Sequence, residues 1–397
     1  MSFLKSLRLD NFLSFPPGSE AVELKPLNVL IGPNGSGKSN FIEAIELLRA
    51  TPTSGFSNAI RYGGTATEWL WKGEQSVESP NATIQAIIQG DDHSQIPNLN
   101  YLLSFSASGH GTEITQEILS GQLKSNSKTK KIEFYKFGEG NAKITILDEK
   151  NSYSKRRISR DRLSLNESIL SQRKDTDRYP ELAWLGEQFQ KIQTFREWSF
   201  GRSSILRRQQ AADLPIDLLD PNCSNLALLL NHLEHTDAGF ELNRYLRRFL
   251  PRYEHLSTKT FGNAIQFYLH ENGLKSPIPS TRLSDGTLRF VAILALLVSP
   301  TPPPLICLEE PELGLHPDAM PLLAELMVEV SSRTQLIVTT HSDAFVSALT
   351  EEADSVLVCE HLGGTVMRRI ESEKLRYWLD RYRLGEIWRI GEIGGNP

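Results

Sequence analysis

Gly32-Pro33-Asn34-Gly35-Ser36-Gly37-Lys38-Ser39 is the stretch on which the reading of this chain turns. Glycines let a loop curl until successive backbone N–H groups point at phosphates, Lys38 adds a compact positive charge, and the Ser39 hydroxyl suits Mg²⁺. The apolar run Leu27, Val29, Leu30, Ile31 before it reads as a buried strand, and Phe41, Ile42, Ile45 and Leu48 after it recur at helical spacing. A loop between strand and helix also puts the helix N-terminus against the anion. The bare pattern would arise in roughly one random chain of this length in a hundred, so an ordinary glycine turn is a minor competitor. Asn34, Gly35, Ser36, Gly37, Lys38, Ser39 and Asn40 are therefore the expected contacts of a nucleoside triphosphate.

Working outward, Pro304-Leu305-Ile306-Cys307-Leu308 reads as a second buried strand, delivering Glu309-Glu310-Pro311-Glu312. Beside a phosphate loop, such a pair reads as a Walker B end: Glu309 in the Mg²⁺ shell and Glu310 polarising the attacking water. Alone, an acidic loop after a core strand would be the plainer reading. A third strand, Leu336-Ile337-Val338-Thr339-Thr340, runs into His341-Ser342-Asp343, with a helical stripe between the two at Leu322, Leu323, Leu326, Met327 and Val330. Parallel sheets bind ligands beyond the carboxyl ends of their strands, so Lys38, Glu310 and His341 are expected to converge there. Arg282-Leu283-Ser284-Asp285-Gly286-Thr287-Leu288-Arg289 then looks like a turn opening a buried helix. Capping by Ser284 or Asp285 would explain that segment taken alone.

Taken in order, the phosphate loop, the LSGG-like turn Leu283-Ser284-Asp285-Gly286, the Walker B acids and His341 resemble the motif set of ABC-type ATPases. The opening Leu7-Arg8-Leu9-Asp10-Asn11-Phe12-Leu13-Ser14-Phe15, and Glu309-Glu310-Pro311-Glu312-Leu313-Gly314-Leu315-His316-Pro317, resemble the RecF, SMC and OLD branch rather than transporter ATPases. The resemblance implies an α/β P-loop head with a parallel sheet core, ATP and Mg²⁺ as cofactors, and slow ATP hydrolysis. It further implies a head-to-tail homodimer around two ATP. There Ser284, Asp285 and Gly286 would form the signature acting in trans, with Ser284 and Gly286 on the γ-phosphate, and residues 313–316 would couple the two sites. Glu309 departs from the commoner Asp-Glu ending by one methylene, which alters its reach to Mg²⁺. Gln75, Gln85 and Gln89 fall where a glutamine loop is expected, and none has a defining context.

Residues 50–281 separate the motifs. They hold no sustained heptads, and Pro180, Pro215, Pro221 and Pro251 exclude a long coiled coil. The expected organisation is an ATPase head from residues 1–50 and 276–397, a β-rich lobe with basic insertion over 51–180, and a helical lid over 181–275. In the lobe, 83–89 and 101–105 read as strands, with turns at Asp91-Asp92, 109–111 and 125–127. Residues 181–253 read as helical, most clearly at 226–233 and 242–250. Basic residues cluster here: Lys124, Lys128, Lys130 and Lys131, then Lys155, Arg156, Arg157, Arg160 and Arg162, then Arg207, Arg208, Arg244, Arg247 and Arg248. Solvated loops are the plain reading. Contact with DNA or RNA, foremost through Lys130, Lys131, Arg156 and Arg157, is the sharper one.

The 397 residues carry a formal charge of −5, no global signature of a nucleic-acid binder. No apolar run approaches the roughly 20 residues of a membrane helix and no secretory signal opens the chain, so a cytoplasmic protein without a membrane partner is expected. Cys223, Cys307 and Cys359 read as buried free thiols. About fifty residues follow His341, too few for the Toprim nuclease domain of OLD proteins. The aromatic tail resembles that of small prokaryotic AAA-family ATPases encoded beside a separate Toprim-like protein in phage-defence or DNA-repair settings. A separately encoded nuclease, toxin or other effector is thus the implied partner. A non-hydrolysing nucleotide-gated scaffold and, less well fitted, a transporter ATPase are the rival readings.

Overall fold

A computed structural model of the chain describes residues 2–73, 81–90, 96–109, 111–125, 128–148 and 152–395. Of the expected turns, Asp91-Asp92 lies outside these residues, as do His110, Asn126 and Ser127 within the other two.

Leu27–Ile31 is buried at all five positions, the mark of a strand covered on both faces. It lies inside a six-stranded sheet, between Gln335–Thr339 and Val356–His361, all three parallel. Outward from Gln335–Thr339 come Leu305–Glu309 and then Gln193–Phe195, also parallel, while Thr365–Arg369 closes the far edge antiparallel. Alternate residues of each strand feed two different cores. Val29, Ile31, Ile306, Leu308 and Val338 face one, built on the helices Asp285–Leu297 and Met320–Ser331. Leu30, Leu305, Cys307 and Ile337 face the other, which holds the helix Lys38–Ala50. The helix Asp285–Leu297 is buried without a break from Leu288 to Leu297, which is why its apolar residues run all round instead of along a stripe. Phe290 within it stacks on Phe249 with ring centroids 3.9 Å apart. Truncating a fully buried ring costs about 3–5 kcal/mol.

A second sheet has eight antiparallel strands, in the order Val22–Glu23, Leu4–Asp10, Ala82–Gln89, Asn98–Ser108, Gly111–Ser125, Lys128–Gly138, Asn141–Leu147, Tyr153–Ile158. Its inner face, with Leu7, Ile84, Ala86, Leu103 and Leu119, packs on the second core, so Lys38–Ala50 is held between two sheets. The side chain of Gln335, wholly buried, joins the sheets: Oε1 accepts from Leu4 N at 2.7 Å, and Nε2 donates to Leu4 O at 2.8 Å and Lys25 O at 3.0 Å.

Residues 181–253 are not uniformly helical. The helices Pro180–Lys191, Leu226–Leu233 and Asp237–Phe249 are present, but Gln193–Phe195 joins the parallel sheet and Gln210–Ala211 pairs with the hairpin strand Ala264–Glu271. Leu226–Leu233 and Asp237–Phe249 pack into the same core as Asp285–Leu297. Part of the basic cluster is spent there. Arg248 binds Glu325 through both terminal nitrogens at 2.6 and 2.7 Å, and Arg244 meets Glu329 at 3.0 Å. In the tail, Trp388 is buried and donates to Gly395 O at 2.5 Å, while Tyr377 and Tyr382 are exposed. All three cysteines are free and buried, and burial pushes the Cys223 and Cys359 thiols up to about 12.

Candidate functional site

The phosphate loop leaves Leu27–Ile31 through Gly32 (φ +146°), where a Cβ would stand 2.1 Å from Cys359 O. At Gly37 (φ +97°) a Cβ would meet Thr365 Oγ1 at 2.1 Å and Ser14 Oγ at 2.8 Å. Only glycine fits either place. Thr365 and Ser14 back the loop: Thr365 donates to Ser36 O at 3.0 Å, and Asn40 Nδ2 donates to Ser14 Oγ at 2.7 Å. Lys38 is buried, with its ammonium donating to Gly32 O at 2.7 Å and Pro33 O at 3.0 Å. Burial lowers its pKa, and the neighbouring Cys359, Glu310 and Glu309 oppose that shift. Asn34 and Gly35 are exposed, and the Ser36 hydroxyl is buried with no hydrogen-bond partner among the described residues.

Leu305–Glu309 lies next but one to the phosphate-loop strand, and its acids arrive beside Lys38. Ser39 Oγ donates to Glu309 Oε1 in a short hydrogen bond. A hydroxyl and a carboxylate in contact are hard oxygen donors, the pairing Mg²⁺ takes when nucleotide phosphates and water complete its shell. No group of three or more His, Cys, Asp and Glu among the described residues could hold a metal ion. Glu310 has a left-handed backbone (φ +46°), unusual for a residue with a side chain. Its peptide is gripped at both ends: N donates to Thr339 O at 3.1 Å, and O accepts from Arg289 Nη1 at 3.1 Å. His341, beyond the end of Gln335–Thr339, places Nε2 3.6 Å from Glu310 Oε1. Burial lowers the His341 pKa, Lys38 lowers it further, and Glu310 resists, so the ring is held neutral at pH 7. Glu312 is buried. Its Oε1 accepts from Thr340 Oγ1 at 2.5 Å and His341 N at 3.1 Å, tying the strand end to the acidic turn.

Ser284 caps Asp285–Leu297, its Oγ accepting from Thr287 N at 3.1 Å, a contact worth about 1 kcal/mol. Ser284 and Asp285 are exposed. At Gly286 a Cβ would stand 2.6 Å from Gly314 O, so this turn abuts residues 313–316. No hydrogen bond or ion pair among the described residues joins Ser284, Asp285 or Gly286 to Lys38, Glu310 or His341.

Sequence reasoning missed the strap that leaves Gln193–Phe195. Arg196 Nε donates to Glu309 Oε2 at 3.0 Å, Nη1 to Glu46 at 2.9 Å and Nη2 to Glu43 at 3.0 Å. The guanidinium thus joins the helix Lys38–Ala50 to Glu309 at the end of Leu305–Glu309. Further along, Trp198 and Phe200 stack on each other and under Arg289, while Arg207 and Gly201 N both bind Asp285 Oδ1. The residue beside Glu309 is Arg196, and none of the glutamines considered for a glutamine loop stands there. Gln85 and Gln89 lie in Ala82–Gln89 of the other sheet, and Gln75 is outside the described residues. The four basic residues singled out divide between two faces of the antiparallel sheet. Lys131 pairs with Gln122 and Arg157 with Lys143 on the outer face; Lys130 opposes Leu123 and Arg156 opposes Ile144 on the inner.

Residues 27–347 match the family described as "AAA domain, putative AbiEii toxin, Type IV TA system". The chain is similar to an ATP/GTP phosphatase of Helicobacter pylori, 23% identical over 367 residues that make up 87% of each protein. It is also similar to the Old nuclease of Escherichia phage P2, 42% identical over 72 residues, which are 18% of this chain and 12% of that protein. Among solved structures it resembles an SMC head bound to the C-winged helix domain of ScpA, with TM-score 0.57 at 15% identity over 94% of this chain and 99% of that one. An SMC head with an extended coiled coil, bound to the C-terminal domain of ScpA derived from Pyrococcus furiosus, gives TM-score 0.55 at 13% identity over 96% and 99%. At these identities the structural likeness is one of fold.

Proposed function

The chain belongs to this family of AAA domains, as a small RecF/SMC/OLD-like ATPase of the ABC class, and on that premise we propose that it is a switch built from two copies closed head-to-tail on two ATP. The observation that carries the reading is a pairing of opposites. Lys38, the Ser39–Glu309 contact, Glu310 and His341 gather at one end of the parallel sheet, while an exposed signature turn on the same chain is engaged with none of them.

In this arrangement the loop N–H groups of residues 34–40 and Lys38 hold the β- and γ-phosphates. Ser39 and Glu309 would hold Mg²⁺, which would supply charge neutralisation on the phosphates. Glu310 takes the proton of the attacking water, giving ADP and phosphate, and neutral His341 hydrogen-bonds the γ-phosphate or that water. Ser284 and Gly286 of the second protomer complete the cradle, with Asp285 held by Arg207. Turnover is slow, because Glu309 has one of its two oxygens on Arg196. Closing and reopening would control a separately encoded Toprim-like nuclease, toxin or other effector in anti-phage defence or DNA repair. The family's description as a toxin of a type IV system and the stretch shared with a phage nuclease support that output.

The test is light scattering with Mg²⁺-ATP. Glu310→Gln is expected to accumulate as a dimer that releases no phosphate, and adding Ser284→Arg to return it to monomer. A dimer that survives Ser284→Arg would defeat the head-to-tail arrangement, and undiminished phosphate release by Glu310→Gln would defeat the assigned base. The second reading, a weakly or non-hydrolysing scaffold, draws on the same Arg196–Glu309 pair; wild-type protein without measurable phosphate release would establish it.

A further inference from the structure

The outer face of the antiparallel sheet carries cations in an arrangement that packing does not explain. Lys136 stands directly opposite Lys143, and Lys143 directly opposite Arg157, so three adjacent strands put positive charges side by side. With strands about 4.8 Å apart, the row spans about 10 Å. Like charges in register weaken a sheet. All three residues are exposed. Lys143 and Arg157 have no ion-pair partner among the described residues, and Lys136 has only Glu133 at 3.9 Å, which it shares with Lys155. Lys131 and Lys155 lie on this same face, since their partners Gln122 and Thr145 alternate in step with Ile118 and Lys143.

Protection of a sheet edge accounts for charge on Tyr153–Ile158, which has one neighbour. It does not account for Lys136 and Lys143, whose strands are paired on both sides. The row lines an open groove of about 500 Å³, together with Asn141, Ser159 and one acid, Glu139, at the turn. An open cationic row flanked by a hydroxyl and an amide suits a chain of phosphates, because its charges succeed one another across three strands on an exposed surface. Ile158 is the one large apolar side chain in its lining, too little to enter a lipid layer, and no aromatic ring lines it to stack on bases.

We propose that Lys136, Lys143 and Arg157 on the outer face of the antiparallel sheet bind the phosphodiester backbone of a nucleic acid, without reading its sequence. This surface is independent of the nucleotide site.

The experiment uses the whole chain and a fluorescent single-stranded oligonucleotide, with anisotropy followed across a salt series. Lys136→Gln/Lys143→Gln/Arg157→Gln is expected to lower affinity at low salt at least tenfold. It should also shrink the slope of log K against log salt by about 2, roughly 0.7 for each phosphate no longer neutralised. ATP hydrolysis without nucleic acid and Tm should hold, showing a folded head. Lys130→Gln/Arg156→Gln, on the opposite face, should bind as wild type does. The proposal is overturned if the triple variant keeps its affinity and slope, if wild-type protein binds no oligonucleotide, or if the opposite-face pair abolishes binding. It is equally overturned if the triple variant loses only binding to vesicles of phosphatidylserine and phosphatidylcholine, which would make the surface a lipid one.

Discussion

Two glycine turns open helices in this chain, and they are built to different standards. The phosphate loop is braced by its own chain on every side: Thr365 and Ser14 back Gly37, Cys359 O backs Gly32, and Lys38 lies buried against two loop carbonyls. The signature turn rests on Gly314 O, spends its Ser284 hydroxyl on its own helix, and leaves Ser284 and Asp285 exposed, with Asp285 held by Arg207 and Gly201 N. One turn carries its countercharge; the other offers only a helix end and a hydroxyl. A helix terminus contributes about 0.3–1 kcal/mol toward an anion at an exposed position, too little to hold a triphosphate alone. On the proposed head-to-tail arrangement, the second turn would become useful only when another surface is brought to it.

Breaking the braced side should have the largest effect. Lys38→Ala is expected to abolish ATP binding together with turnover, about 10²–10³-fold or more, by removing the fixed charge of the cradle. Fluorescent-nucleotide titration checks it, and retained affinity would count against the phosphate-loop assignment. Arg196→Met comes next. It leaves Glu43, Glu46 and Glu309 facing one another with side chains only 17–33% exposed, and should cost about 1–3 kcal/mol once solvent screening is allowed for. A fall in Tm that salt partly restores would agree, whereas an unchanged Tm would show the guanidinium to be dispensable.

Gly286→Ala tests the unbraced side, since its methyl would press on Gly314 O. Turnover should fall about tenfold, equivalent to about 1.4 kcal/mol, while ATP affinity holds. Mixing Gly286→Ala with Lys38→Ala in equal amounts sharpens the contrast. Half the dimers would join unlike protomers, each with one complete site, so about a quarter of wild-type turnover should return. No recovery on mixing would mean that both turns serve the same protomer.

The smallest effect concerns His341. Its folded pKa lies below that of the unfolded chain, so as pH falls below about 6.5 the unfolded state takes up the proton first and stability declines. His341→Gln should flatten the fall in Tm between pH 7 and the folded pKa by a small margin, because the ring is partly exposed. An identical slope in the variant would place the ring in water.

The braced half was the legible half. Leu27–Ile31, Leu305–Glu309 and Gln335–Thr339 are continuous apolar runs with polar residues at one end, and a doubly covered parallel strand cannot be written otherwise. Leu226–Leu233 was equally plain. Gln193–Phe195 was not, because three residues carry no periodicity and its strand partner lies more than a hundred positions away. Arg196 stayed hidden with it, and the glutamines of Ala82–Gln89 stood out instead. The basic face was hidden for another reason. A register shift where Glu133 and Tyr135 pair with Ser120 and Leu119 changes which side alternate residues take. Spacing along the sequence thus puts Lys131 out of step with Lys136, although the two share a face.

The buried amide of Gln335 gives the molecule a mechanical property. Its three bonds to Leu4 and Lys25 rivet the first strand of the antiparallel sheet to the root of the strand that leads to His341. From Gln335, five residues of extended backbone lead toward the end where His341 and Glu310 meet, so hydrogen bonds and strand alone, with no slack loop, lie between the first strand and that end.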